Sequence, residues 1–349
     1  MNKTQTNNRD YWPTKQWRSA SPSSCGMDSA YLEKLDLAIR ARHKNINGAI
    51  IVKNGYIVFE KYFNAFGPAD THNVASVTKS FISALIGIAI DKGYIQGVEQ
   101  RVLDFFPEYP TKAGDFAKRT VTIRQLLTMT APIASKTVGN KWEPLDRLRR
   151  QPDWVKYTLD MLGKGTSGQF QYSTAGAHLL SAILTRATGL CAREFANKHL
   201  FMPMGISEIP DCDMKSFSLD DVFGKNVTGW IKDPQGVTVG GMGLTITPRD
   251  MTRFGFLYLN KGLWEEQQVI SEQWISASTA MTPNEYGYLW WLREKNGLLS
   301  YSALGSGGNV ICCIPEKDLV VVFASKIVVK PRDSWELIDE YIIPSVVTD

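Results

Sequence analysis

The sequence predicts an α/β chain: one antiparallel sheet of about five strands, flanked by helices and built from both chain ends, plus a mostly helical lobe. Three observations carry this. Asn54-Gly55 stands between the β-branched runs 48–53 and 56–63, and Asn-Gly is the strongest short hairpin signal because both turn residues tolerate positive φ. Three more strand-like runs, 298–304, 309–314 and 319–324, lie near the other end, separated by Gly-Ser-Gly-Gly and Pro-Glu-Lys-Asp. Between the two sets helical patterns dominate, without the regular strand–helix alternation of a doubly wound parallel sheet.

Each element has its own signal. Residues 1–27 are rich in Ser, Pro, Asn and Trp and read as an irregular lead-in pinned by Tyr11, Trp12 and Trp17. Asp28-Ser29 caps a helix whose apolar residues, from Leu32 to Ile39, keep helical spacing. The hairpin follows. Residues 81–90 are apolar on every side, the mark of a buried helix, and Asp91-Lys92-Gly93 ends it. Thr122-Ile123-Arg124-Gln125 is a capping box. Residues 154–162 form a short amphipathic stretch, and 175–187 a helix closed by Gly189. Thr247-Pro248 opens another helix, with the proline in the first turn. Asp333-Ser334 caps the last. The expected division is a lead-in over 1–27, a sheet domain over 28–75 and 291–349, and a helical lobe over 76–290 that carries the buried helix.

Composition narrows the function classes. A formal charge of +4 over 349 residues, with no block of like charges, gives no reason to expect a nucleic-acid partner. No run approaches the ~18 apolar residues of a membrane span, and the polar N-terminus has no apolar leader core. A soluble, cytoplasmic protein is expected. The five cysteines include no Cys-x-x-Cys, which fits free thiols in a reducing compartment. Cys312 and Cys313 are neighbours on a strand and point to opposite faces. Four histidines form no ligand cluster, so a zinc site is not expected.

Three stretches carry candidate chemistry. In Ser76-Val77-Thr78-Lys79, at the start of the buried helix, the spacing of three puts hydroxyl and amine on one face. An amine beside a hydroxyl is one way to activate a serine without a histidine, and the helix start adds free N–H groups. Tyr172-Ser173-Thr174 lies at a loop apex before a helix, and a tyrosine there can accept a proton. Gly305-Ser306-Gly307-Gly308-Asn309 enters a strand, where small residues let a ligand or another chain approach the edge. Other signals fail. Gly163-Lys164-Gly165-Thr166-Ser167-Gly168 follows a helical stretch rather than a strand, so it lacks the nucleotide-binding context. No Gly-x-Ser-x-Gly elbow occurs.

Together, in order and approximate spacing, these stretches resemble the serine β-lactamase and penicillin-binding-protein superfamily. The tyrosine in the second stretch is similar to the class C-like branch, which holds class C β-lactamases, D-Ala-D-Ala carboxypeptidases, β-lactamase-like esterases and 6-aminohexanoate-dimer hydrolase. Residues 121–130, 240–244 and 247–250 also resemble family segments. Two positions depart from the pattern: Thr174 stands where the branch has Asn, and Gly305 where it has Lys or His. The resemblance implies a β-lactamase/transpeptidase-like fold and a covalent acyl-enzyme. Ser76 would be the nucleophile, with Lys79 and Tyr172 sharing the base role. Backbone N–H groups of Ser76 and Gly308 would form the oxyanion hole. Thr174, Gly305, Ser306, Gly307 and Asn309 would bind substrate, with Tyr286 and Tyr288 (and Trp290 and Trp291 beside them) lining a pocket. No cofactor or metal is implied; the partner is a small ester or amide. The missing cation at 305 favours a carboxylesterase-like hydrolase. The alternatives are a β-lactamase or D-amino-acid or linear-amide hydrolase, and a non-catalytic penicillin-binding-like sensor.

Overall fold

The computed structural model describes residues 9–112, 114–134, 145–224 and 226–347. Its centre is a six-stranded antiparallel sheet made of β1 (Ile46–Lys53), β2 (Tyr56–Tyr62), β3 (Trp291–Lys295), β4 (Leu298–Gly305), β5 (Asn309–Ile314) and β6 (Leu319–Ser325), in the order β2-β1-β6-β5-β4-β3. The two chain ends meet where β1 pairs β6, with Ile50 opposite Val322 and Ile51 opposite Val321. The Asn54-Gly55 turn joins β1 and β2, and both residues take positive φ, 54° and 88°. The sheet has one strand more than expected. β3 comes from the aromatic stretch that the sequence assigns to a pocket, and it pairs only the first part of β4, up to Ser302 opposite Trp291. The last residues of β4 are therefore free of a neighbour on that side.

β1 and β6 are buried along nearly their whole length, because helices cover both faces of the sheet. Cys312 lies in the core on one face and Cys313 in the core on the other, as alternation requires. One face carries α1 (Ser29–Arg42) and the consecutive turns Trp335–Leu337, Ile338–Ile342 and Ile343–Ser345. The other faces the helical core. There α2 (Thr78–Asp91) is buried from Thr78 to Ala89, and each large apolar side chain so buried contributes about 1.5–3 kcal/mol. Phe81 stacks on Phe254 at 3.9 Å between ring centroids. Around α2 stand α3 (Trp154–Met161), α4 (Thr174–Thr188), α5 (Pro248–Leu259) and α6 (Glu272–Ser278). Gly87 is needed on α2 because a Cβ there would lie 2.5 Å from Cγ of Trp274 on α6.

The lead-in crosses this assembly. Trp12 and Trp17 pack on Phe256 of α5, Tyr11 donates to the Gly55 carbonyl at 2.6 Å, and Arg9 pairs both oxygens of Asp318. Residues 1–8 of the lead-in lie outside the described residues. No helix among the described residues is long and apolar enough to cross a membrane.

Candidate active site

The site forms where the start of α2 meets the end of β4. A short ladder pairs His72 and Asn73 with Ile246 and Thr245, and a 3-10 turn, Ala75–Val77, leads into α2. Ala75 has a φ of 49°, a left-handed conformation that costs a non-glycine residue on the order of 1–2 kcal/mol. Asn73 holds it: its Oδ1 accepts the Ala75 N–H at 3.0 Å, and its Nδ2 donates to the Val222 carbonyl. Ser76 is thereby set at the open tip of an otherwise buried helix.

Lys79, 1% exposed, lies one turn further on. A buried ammonium is costly unless its protons are used, and here three oxygens take them: Ser76 Oγ at 3.1 Å, Thr174 Oγ1 at 3.1 Å and the Gly241 carbonyl at 2.8 Å. The Tyr172 ring centroid is 4.8 Å from Nζ. Thr174 thus supplies an oxygen where the branch has the asparagine amide, which explains how that departure is accommodated.

Tyr172 is half-buried and fixed by rings. It stacks on Trp291 at 5.8 Å and meets Tyr286 edge-on at 6.4 Å. Tyr286 is 2% exposed, and burial, with a smaller contribution from Tyr172, pushes its phenol well above the usual range. Tyr286 therefore acts as a neutral wall behind Tyr172. Ser173 caps α4, accepting the Gly176 N–H at 3.0 Å.

The glycine-rich turn is built differently from the expectation. Gly305 is pressed against the serine turn: a Cβ there would lie 2.2 Å from the Val74 carbonyl and 3.2 Å from Val77 Cγ2. No cation fits at this position. Gly308 is corrected as an oxyanion donor, since its N–H donates to the Gly305 carbonyl at 3.2 Å and closes the turn. Gly307 is a turn residue whose Cβ would meet the Lys326 carbonyl at 2.6 Å. Asn309, fully buried, is not free for substrate: it accepts the Ser325 N–H and donates to the carbonyls of Ser306 and Asn73. Ser306 is exposed. Among the described residues, neither the Ser76 nor the Ser306 N–H has a protein acceptor. Tyr288 is corrected too, because its hydroxyl is held by Arg124 and its ring packs on Trp274. Trp290 is core, stacked on Phe254; of the four aromatics, only Trp291 and Tyr286 touch Tyr172. The Gly241 carbonyl was missed as a Lys79 partner. Its signal was the run Gly240-Gly241-Met242-Gly243, although a backbone oxygen has no letter of its own.

Beyond Tyr172 opens a cleft lined by Phe170, Gln171, Gln169, Tyr157, Arg147 and Lys164, among others.

Comparison with known proteins agrees with this fold. A family model described as Beta-lactamase matches residues 35–339. The chain is 24% identical over 314 residues to 6-aminohexanoate-dimer hydrolase of Paenarthrobacter ureafaciens, covering 82% of this chain and 74% of that one. It is 28% identical over 198 residues to penicillin-binding protein 4* of Bacillus subtilis, covering 51% and 40%. Among solved structures, a Bacillus anthracis protein provisionally assigned as a 6-aminohexanoate-dimer hydrolase superposes with a TM-score of 0.70 at 20% identity, covering 97% of this chain and 88% of that one. EstCE1, a hydrolase with promiscuous acyltransferase activity, gives 0.67 at 16% identity, covering 94% and 99%.

Proposed function

The chain belongs to the β-lactamase family, and from that premise we propose that it is a serine hydrolase that cleaves small esters or amides through an acyl-enzyme on Ser76. The observation that carries the reading is the buried Lys79 side chain, whose Nζ lies 3.1 Å from Ser76 Oγ with the Tyr172 ring against it. In this reading Ser76 Oγ attacks the carbonyl carbon, and its proton passes to the Lys79/Tyr172 pair, which at that point holds one proton fewer than an ammonium and a phenol together. The same proton then goes to the departing alkoxide or amine. Water repeats the sequence and frees the acid. The oxyanion donors we assign are the N–H groups of Ser76 and Ser306. Ser306 replaces Gly308 because its N–H is unspent and because Gly305 holds the strand end against the serine turn. Each such donor is typically worth about 10²–10³ in rate.

Gly305 supports esters and linear amides over β-lactams, since no side chain fits there to bind a carboxylate beside the scissile bond. The likeness to a 6-aminohexanoate-dimer hydrolase supports amides as part of the range. The five free thiols suit a cytoplasmic setting. The test is intact mass after reaction with a fluorophosphonate and with a p-nitrophenyl ester. Wild type is expected to gain one adduct, on Ser76, and Ser76→Ala none. An adduct on Ser173 or Ser306, or a wild type that stays unlabelled, as a sensor without catalysis would, defeats the proposal.

A further inference from the structure

One buried titratable pair has no place in this chemistry. His178 lies on α4, one turn after Thr174, and its side chain and that of Asp233 are both fully buried. His178 Nε2 is 3.0 Å from Asp233 Oδ2. Its Nδ1 faces the Gly240 N–H at 3.4 Å. A backbone N–H only donates, so Nδ1 holds the lone pair and Nε2 carries the proton towards Asp233. The other carboxylate oxygen accepts the N–H groups of Gln235 and Val237, both at 2.8 Å.

This chain of contacts ends at the reactive amine. The residue after Gly240 is Gly241, whose carbonyl is the shortest of the three contacts of Lys79. The loop has no slack. A Cβ on Gly240 would lie 2.3 Å from the Ala177 carbonyl, and one on Gly241 2.5 Å from Thr174 Cγ2. Ser181 and Trp230 tie down the carbonyls of Thr238 and Val239 just upstream. His178 accepts the N–H of Gly240, the residue just before the one whose carbonyl Lys79 uses. The titratable group facing Lys79 is Tyr172, and the one facing His178 is Asp233; the Trp154 ring packs edge-on to the imidazole at 5.5 Å.

We propose that His178 and Asp233 are positioning residues for Lys79: the pair fixes one imidazole tautomer, which seats the Gly240-Gly241 loop and so aims the Gly241 carbonyl at the ammonium. This rests on the hydrolase reading above.

Asp233→Asn tests it with no change of volume. The asparagine keeps an oxygen for Gln235 and Val237 and presents an NH2 to His178, which drives the imidazole proton to Nδ1. Two donors then meet at Gly240. The expected result is a kcat for a p-nitrophenyl ester lower by about 10-fold or more, the order of one misplaced catalytic contact, with KM nearly unchanged. A folded Asp233→Asn protein with wild-type kcat, or with a loss that falls on KM alone, overturns the proposal. Because that variant could fail to fold, the wild type supplies a second measurement. The ¹⁵N shifts of His178, assigned by replacing the other three histidines, must report the Nε2–H tautomer, and an Nδ1–H tautomer overturns the proposal. A wild type that neither labels with fluorophosphonate nor turns over ester defeats the hydrolase reading alone. In that case a crystal structure of Asp233→Asn decides the positioning, by whether the Lys79–Gly241 contact is lost or kept.

Discussion

Gly305→Ala adds one methyl group at the point where β4 touches the serine turn. The new Cβ would lie 2.2 Å from the Val74 carbonyl oxygen, where ordinary contact begins at 3.4 Å, so strand and turn must part by on the order of 1 Å, the scale at which close-packed interiors respond. Val74 is fully buried, as are Ala75 and Val77 around it, so the turn cannot simply step aside. Overpacking of this kind costs about 1–3 kcal/mol. The larger effect should be kinetic. A displacement near 1 Å between nucleophile and oxyanion donor costs about 10²-fold in rate. The assay is the rate of fluorophosphonate labelling together with kcat for p-nitrophenyl acetate, and a thermal melt reports the packing cost. Gly297→Ala is the control on the β3–β4 hairpin. Its φ is 76°, but nothing lies within 4 Å of the added Cβ. It should lose about 1 kcal/mol through backbone strain alone and keep wild-type kcat. A Gly305→Ala protein that melts and labels like wild type would refute the claim that Gly305 sets the distance between strand and serine.

Other outcomes follow from the same geometry. Tyr172→Phe keeps the stack on Trp291 and removes only the oxygen, so the melting temperature should hold while kcat falls at least about 10²-fold, the usual size of general-base catalysis; full activity would make Tyr172 a packing residue. kcat/KM for a short-chain p-nitrophenyl ester should exceed that for a chromogenic cephalosporin, and an equal or higher cephalosporin value would mean that a cation away from position 305 binds the β-lactam carboxylate. Burial holds His43 and His72 below the ordinary imidazole value of 6.5, with Glu336 and Asp70 opposing only in part. The unfolded chain therefore takes up protons first, so stability is full above about pH 6.5 and is lost as pH falls towards the folded values. The melting temperature should drop between pH 7.5 and 5.5, and His72→Phe, which keeps the ring contact with Phe66, should lessen the drop. A flat or rising profile would contradict it.

The legible parts of the molecule were those written in side-chain pattern. Asn54-Gly55 announced its turn through two positive φ values, the run 81–90 announced a helix buried on all sides, and the spacing of Ser76 and Lys79 put their tips in contact. β3 escaped because Trp291-Leu292-Arg293-Glu294-Lys295 is a charged edge strand. Its register comes from β4 and from the grip of Asp339 on Arg293 and Lys295, not from its own propensity. Gly308 misled because a Gly-Gly pair admits both an open edge and a closed turn, and only the φ of 87° at each of Gly307 and Gly308 decides for the turn. Thr174 looked like a defect against the branch pattern. Its hydroxyl nevertheless reaches the same ammonium, a substitution of function that only the distance reveals.

The pairing of β1 with β6 also has a consequence for the order in which the protein is made. Ser76 leaves the ribosome long before Ser306, by on the order of ten seconds or more at ~5–20 residues per second. Until β4, β5 and β6 are synthesised, the hairpin β1–β2 has no partner on its inner edge. The serine turn likewise has no strand end to rest against. The nascent chain thus carries its nucleophile without the second half of the cradle, and such distant pairing also folds slowly. On the proposed reading, acylating chemistry waits for about the last seventh of the sequence, from Leu298 onward, so a chain cut short before β4 is expected to be inert.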